Sequence, residues 1–121
     1  ICTLPPIGEC LDSAINQHIE KFNVFINKTA EEKNISVLDV SDSMWNELSK
    51  RTYPAKKNYN PKMTVIAKYI YGAWIQHYIF KKPWDRVAES RGQWLLFDQI
   101  HLGERGARVM LSLAKGYIST N

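Results

Sequence analysis

Asp98 and His101 lie three residues apart in the run LLFDQIHLGERGARVML, between an apolar stretch and a helical pattern. A histidine acting as general base needs one tautomer and one ring orientation. A carboxylate bonded to the ring nitrogen away from the nucleophile supplies both, and it stabilises the imidazolium that forms. A loop with Asp at i and His at i+3, anchored by the helix behind it, can bring both side chains to the mouth of a sheet, the edge where open α/β sheets bind ligands. The spacing alone is common, and a helix-entry loop with incidental polar residues would carry the same pair.

A base needs a nucleophile. The run VLDVSDSMW offers Ser43, which follows an apolar stretch. No glycine precedes Asp42 to allow the sharp turn that exposes a nucleophile, and Asp42 or Ser41 reads better as the cap of the next short helix. Asp12 and Ser13 read as a helix cap by the same reasoning. His18 falls on the polar side of the first helical pattern, and His77 among aromatics reads as a packed core or interface histidine. Trp74, Tyr78, Phe80, Trp84 and Trp94 read as core. A sharper reading makes them an acyl-binding wall or a membrane-facing edge.

The elements that must position these residues can be read from periodicity. Ile1–Leu4 is a short apolar run stopped by Pro5-Pro6, read as the end of a strand. Ile15, Ile19, Phe22, Ile26 and Ala30 recur at helical spacing, giving an amphipathic helix from about Ser13 to Lys33. Ile35–Val40 is short and β-branched, read as a buried strand. Strand, helix, strand implies a parallel sheet in an α/β protein. RTYPAKKNYNP reads as a surface loop. Lys62–Phe80 forms an apolar helix with Ile66, Ile70, Ala73, His77 and Phe80 on one face. Lys68, Gln76 and His77 argue against a membrane span. Pro83 can begin a short helix through Ser90 that Gly92 closes. Trp94–Phe97 is a brief extended run. The last helix begins near Gly103 or Glu104, with Ala107, Met110, Leu111, Ala114, Tyr117 and Ile118 as its apolar stripe.

The 121 residues suffice for one small domain, and 45% hydrophobic with 23% charged residues marks a globular chain. The formal net charge of +4 is spread out, with a loose cluster from Lys50 to Lys62 that reads as a solvated loop rather than a nucleic-acid surface. Cys2 and Cys10 make neither a disulfide framework nor a metal site. The sequons at Asn27 and Asn34 leave the compartment open. Two strands and a fragment cannot form a sheet covered on both faces. The expectation is therefore part of a three-layer α/β/α domain, incomplete at the N-terminus.

FDQIHLGERGARVMLSLAKGYI closely resembles the C-terminal block of SGNH (GDSL-type) hydrolases, where an Asp-x-x-His sequence is followed by an L-x-x-R-G turn into the last helix. CTLPPIGE resembles a strand-and-loop segment of such enzymes. NQHIEKFNVFINKTAEEKNISVLDV resembles their next helix and strand. IQHYIFKKPWDRVAESRGQWLLFD resembles an insertion in one branch of the family. The resemblance covers most of the chain apart from the loop around Ser49–Pro61. It implies that residues 1–121 are the C-terminal part of one SGNH hydrolase domain, with a helical insertion around 45–93. It implies that Asp98 orients His101, and that His101 takes the proton of a serine attacking an acyl ester. The family's Ser, Gly and Asn blocks, which supply nucleophile and oxyanion donors, lie upstream of the segments matched here. The N-terminal half of the domain or a second chain would have to provide them, and the segment alone would be inactive. No metal or organic cofactor is implied. Gly103 stands where the family often has Asn or Ser. The alternatives are a non-catalytic interaction protein and a peripheral membrane protein using the Met63–Phe80 helix.

Overall fold

The computed structural model describes residues 1–53 and 59–120. Among them the chain forms five α-helices: α1 (Ala14–Glu32), α2 (Val40–Ser49), α3 (Met63–Trp74), α4 (Trp84–Ser90) and α5 (Glu104–Thr120). A π-helical turn, Ile75–Ile79, continues α3. The expected loop RTYPAKKNYNP falls partly on residues 54–58, outside the described residues.

The expected parallel-sheet α/β/α architecture is not what forms. Among the described residues there is no strand, only two isolated bridges, Cys2 with Leu38 in parallel and Leu96 with Leu102 antiparallel. The reasons are local. Pro5-Pro6 halts the first extended run, and it pairs only through Thr3 N donating to Leu38 O at 3.2 Å, Leu38 N to Ile1 O at 2.9 Å and the Ile1 amino group to Ser36 O at 3.2 Å. The second run is cut short because Asp39 caps a helix: its Oδ1 accepts from Asp42 N at 3.0 Å, so Val40 is already the first residue of α2. The expected cap at Ser41 or Asp42 therefore lies two to three residues earlier. The third run, Trp94–Phe97, pairs only through the Leu96–Leu102 bridge, and the N–H groups of Trp94, Leu95 and Leu96 go to the carboxylate of Glu9 instead of to a neighbouring strand.

Helix α1 starts as the sequence suggests, with Ser13 Oγ accepting from Asn16 N at 3.4 Å. Its buried face is a different one. Asn16, Ile19, Asn23 and Ala30 face inward, while Ile15 and Phe22 face solvent, Phe22 at 60% exposure. The segment before Ser13 runs along this face and presents backbone rather than apolar side chains. Asn23 answers with both ends of its amide, accepting from Leu4 N at 2.7 Å and donating to Leu4 O at 3.0 Å. One span further back, Asn16 accepts from Ile7 N at 2.9 Å and donates to Cys10 O at 2.9 Å. Buried asparagines are tolerated here because each is satisfied.

The apolar core lies between α2, α5 and the Trp94–Phe97 segment. Val40, Met44, Leu48, Leu95 and Leu96 form its centre, with Leu102, Val109, Met110 and Leu113 packed against it. The inward stripe of α5 is thus displaced from the expected one: Ala107, Leu111 and Ile118 are exposed. Gly106 is buried where α5 crosses this segment, and a Cβ there would stand 2.8 Å from both Leu95 O and Leu102 Cδ2. That close approach accounts for the glycine of the R-G turn. Helix α3 contributes only Ala73 to the interior; Ile70 is exposed, and so are Trp74, Tyr78 and Phe80, which the sequence reads as core. Among the described residues no helix is long and apolar enough to cross a membrane. Cys2 and Cys10 are both free thiols.

Candidate functional site

Asp98 and His101 come together in the turn between the Trp94–Phe97 segment and α5. His101 Nδ1 is 2.6 Å from Asp98 Oδ2. The other carboxylate oxygen accepts from Ile100 N at 3.1 Å and from His101 N at 2.7 Å. The carboxylate therefore fixes both the ring and the backbone that carries it. The burial of the pair is asymmetric: the Asp98 side chain is 1% exposed and that of His101 58%. An enclosed acceptor holding Nδ1–H leaves the opposite nitrogen, Nε2, as the free base on an exposed ring. Among the described residues nothing hydrogen-bonds Nε2.

The turn is strained and held from outside. Gln99 has φ +80°, a left-handed conformation that non-glycine residues rarely adopt. Two other segments over-determine it. Gly8 N donates to Gln99 O at 2.7 Å, and Gln99 Oε1 accepts from Asn60 N at 3.3 Å. Gly8 itself has φ +62° and packs against Tyr59.

Glu9, missed in the sequence reading, is the organising residue beneath the site. Its carboxylate is fully enclosed. Oε1 accepts from Trp94 N, Leu95 N and Leu96 N at 2.8, 2.6 and 2.8 Å. Oε2 accepts from Arg51 Nη1 at 2.7 Å and from Trp94 N at 2.6 Å. Four donors on one buried carboxylate make the arrangement charge-assisted and rigid. Its partners lie up to 87 residues away, so no local pattern could reveal it.

Arg91, also missed, braces the other side. Nη1 donates to Tyr69 O at 2.6 Å and to Phe97 O at 3.1 Å, so the guanidinium joins α3 to the residue before Asp98. A Cβ at Gly72 would stand 2.9 Å from Arg91 Nη2, so the glycine makes room for it. Burial pushes the Arg91 guanidinium below its ordinary pKa, while Tyr69 and the Asp98 carboxylate hold it up. Asp85, following Trp84, accepts from Arg105 N at 2.8 Å and from Arg108 Nη2 at 2.9 Å, clamping the first turn of α5.

An aromatic stack leads away from His101. Phe97 lies nearly parallel to its ring at 5.8 Å, Trp84 stacks on Phe97 at 4.3 Å, and His77 stacks on Trp84 at 3.9 Å. The π-turn sets His77 in that plane, with its Nδ1 2.9 Å from Lys82 O. His101 and Phe97 also border a cavity of about 560 Å³, walled by Pro5, Pro6, Val40, Met44, Leu96, Ile100 and Met110. Cys2 and Thr3 also line it, and the walls are mostly apolar.

The candidate nucleophiles are placed elsewhere. Ser43 lines a separate cavity between α2 and α5, with Glu47, Arg105 and Ser112. Ser13 is spent as the cap of α1. His18 is exposed, with Nδ1 2.7 Å from Ala14 O. Among the described residues no three His, Cys, Asp or Glu side chains gather in a way that could hold a metal ion.

No protein-family model, curated protein or solved structure matches this chain.

Proposed function

We propose that Asp98 and His101 are the acid–base half of a serine ester hydrolase of the SGNH type. The observation that carries this reading is the enclosed Asp98 carboxylate at 2.6 Å from Nδ1 of a histidine whose ring is otherwise exposed. His101 Nε2 takes the proton of a serine hydroxyl as the oxygen attacks an ester carbonyl. It returns that proton to the leaving alkoxide, and water releases the acyl group by the reverse sequence. The serine and its oxyanion donors come from another segment of the domain or from a second chain. The apolar cavity beside His101 suits an acyl group. The reading stands on the site and its sequence block, not on a parallel sheet.

The test is hydrolysis of p-nitrophenyl acetate by the complete protein. Replacing His101 with Ala is expected to lower turnover by on the order of 10³-fold or more without changing the fold, since the ring is mostly exposed. Asp98→Asn keeps an oxygen for the two backbone donors but turns an amide toward Nδ1, and a loss on the order of 10³–10⁴-fold is expected. Undiminished turnover in His101→Ala would sink the assignment.

A second reading, a non-catalytic interaction protein, is favoured by the exposed aromatics of α3. It requires that function survive Asp98→Asn and His101→Ala alike.

A further inference from the structure

Helix α3 and its π-turn reverse the usual distribution of side chains. Met63, Tyr71, Trp74, Tyr78, Ile79 and Phe80 all lie on the surface, Tyr71 at 71% and Phe80 at 66% exposure. Exposed apolar residues scattered singly need no explanation, but Tyr71, Trp74 and Tyr78 form one continuous row. Tyr71, Trp74 and Tyr78 follow one another at helical spacing, with ring centroids 6.5 and 5.2 Å apart. Lys68 continues the same ridge toward the helix start, and Lys81 and Lys82 stand at its far end.

The charge of the segment is one-sided. Between Glu47 and Asp85 the sequence holds eight lysines and arginines and no aspartate or glutamate. Among the described residues Lys62, Lys68, Lys81 and Lys82 are exposed and form no ion pair. A surface of tryptophan, tyrosine and phenylalanine bracketed by unpaired lysines is what an anionic lipid interface binds: the rings enter the headgroup boundary and the ammonium groups stay among the phosphates. A protein partner could cover the rings, but the absence of any carboxylate along the segment selects a negatively charged occupant.

We propose that the α3–π-turn face is a docking surface for an anionic lipid bilayer. The helix lies in the plane of the interface, with Tyr71, Trp74 and Tyr78 in the headgroup layer. The inference stands independently of ester hydrolysis.

The experiment is co-sedimentation of the full chain with vesicles of phosphatidylcholine alone and of phosphatidylcholine mixed with phosphatidylserine. Binding is expected to the mixed vesicles, to fall with added salt, and to be weak on the neutral ones. The double variant Lys68→Glu/Lys81→Glu is expected to lower partitioning at least about tenfold, each lysine near an anionic surface being worth roughly fivefold. Brominated lipid should quench tryptophan emission in the wild type and much less in Trp74→Phe. These positions are exposed, so circular dichroism should be unchanged in each variant. Three results would overturn the proposal: no binding to mixed vesicles, equal binding to neutral ones, or unaltered binding by the lysine variant. A monomer–dimer equilibrium weakened by Tyr71→Ser, without vesicle binding, would assign the face to a second copy. His101→Ala should bind vesicles as the wild type does, so a failure of the hydrolase reading leaves this result intact.

Discussion

Glu9 and Trp74 show two opposite ways of placing a side chain. The carboxylate of Glu9 is enclosed and meets four donors from Arg51 and the Trp94–Leu96 backbone. The indole of Trp74 is half exposed, touching other exposed rings. Around Glu9 the interior is held by polar groups that have no alternative partner, so loss of one leaves several unsatisfied. Along α3 the apolar surface rests on the protein through few contacts, so single side chains contribute little to folding. Specificity of structure resides in the first region, and availability for an external surface in the second.

The comparison can be broken by equilibrium unfolding in urea. Glu9→Ala should cost the most, about 3–5 kcal/mol, because it strands the buried Arg51 guanidinium along with three backbone donors. A loss below about 1 kcal/mol would mean that water replaces the carboxylate and that the region is not rigid. Gly106→Ala is expected to cost about 1–2 kcal/mol, the crowding of Leu95 O outweighing the helix propensity that alanine adds. Ser13→Ala should remove about 1 kcal/mol by uncapping α1. Tyr71→Ser, on the exposed ridge, should stay within about 0.5 kcal/mol of wild type. If Tyr71→Ser rivals Glu9→Ala, α3 is part of the folded core and the contrast fails.

What the sequence discloses follows the range of the interactions. Asp98 and His101 are three residues apart and meet through one turn, so their pairing was readable. The start of α1 at Ser13, the short helix after Pro83 and its stop at Gly92, with φ +74°, are likewise local signals. The faces of helices are set by what lies against them. Asn16 and Asn23 turn inward because a neighbouring backbone needs their amides, a demand that apolar periodicity cannot register. The strand expected over Ile35–Val40 has the right composition, but the Asp39 cap prevails once Thr3 reinforces it: Thr3 Oγ1 donates to Asp39 Oδ1 at 3.0 Å and accepts from Ser41 N at 2.9 Å. The Asp-x-x-His spacing points to the pair but not to its supports, Glu9 and Arg91, whose partners lie far along the chain or in another element.

The position of Glu9 also bears on the time course of folding. Its hydrogen bonds close loops of 42 residues to Arg51 and 85 to 87 residues to the Trp94–Leu96 backbone. Until both loops close, the carboxylate remains hydrated and does nothing to offset the chain entropy lost. These contacts therefore belong to the slow, non-local part of the search rather than to the helices that form beside it. Once they are made, the amides of Trp94, Leu95 and Leu96 are released to solvent only when the whole chain opens, so the residues leading into Asp98 should be among the last to exchange their hydrogens.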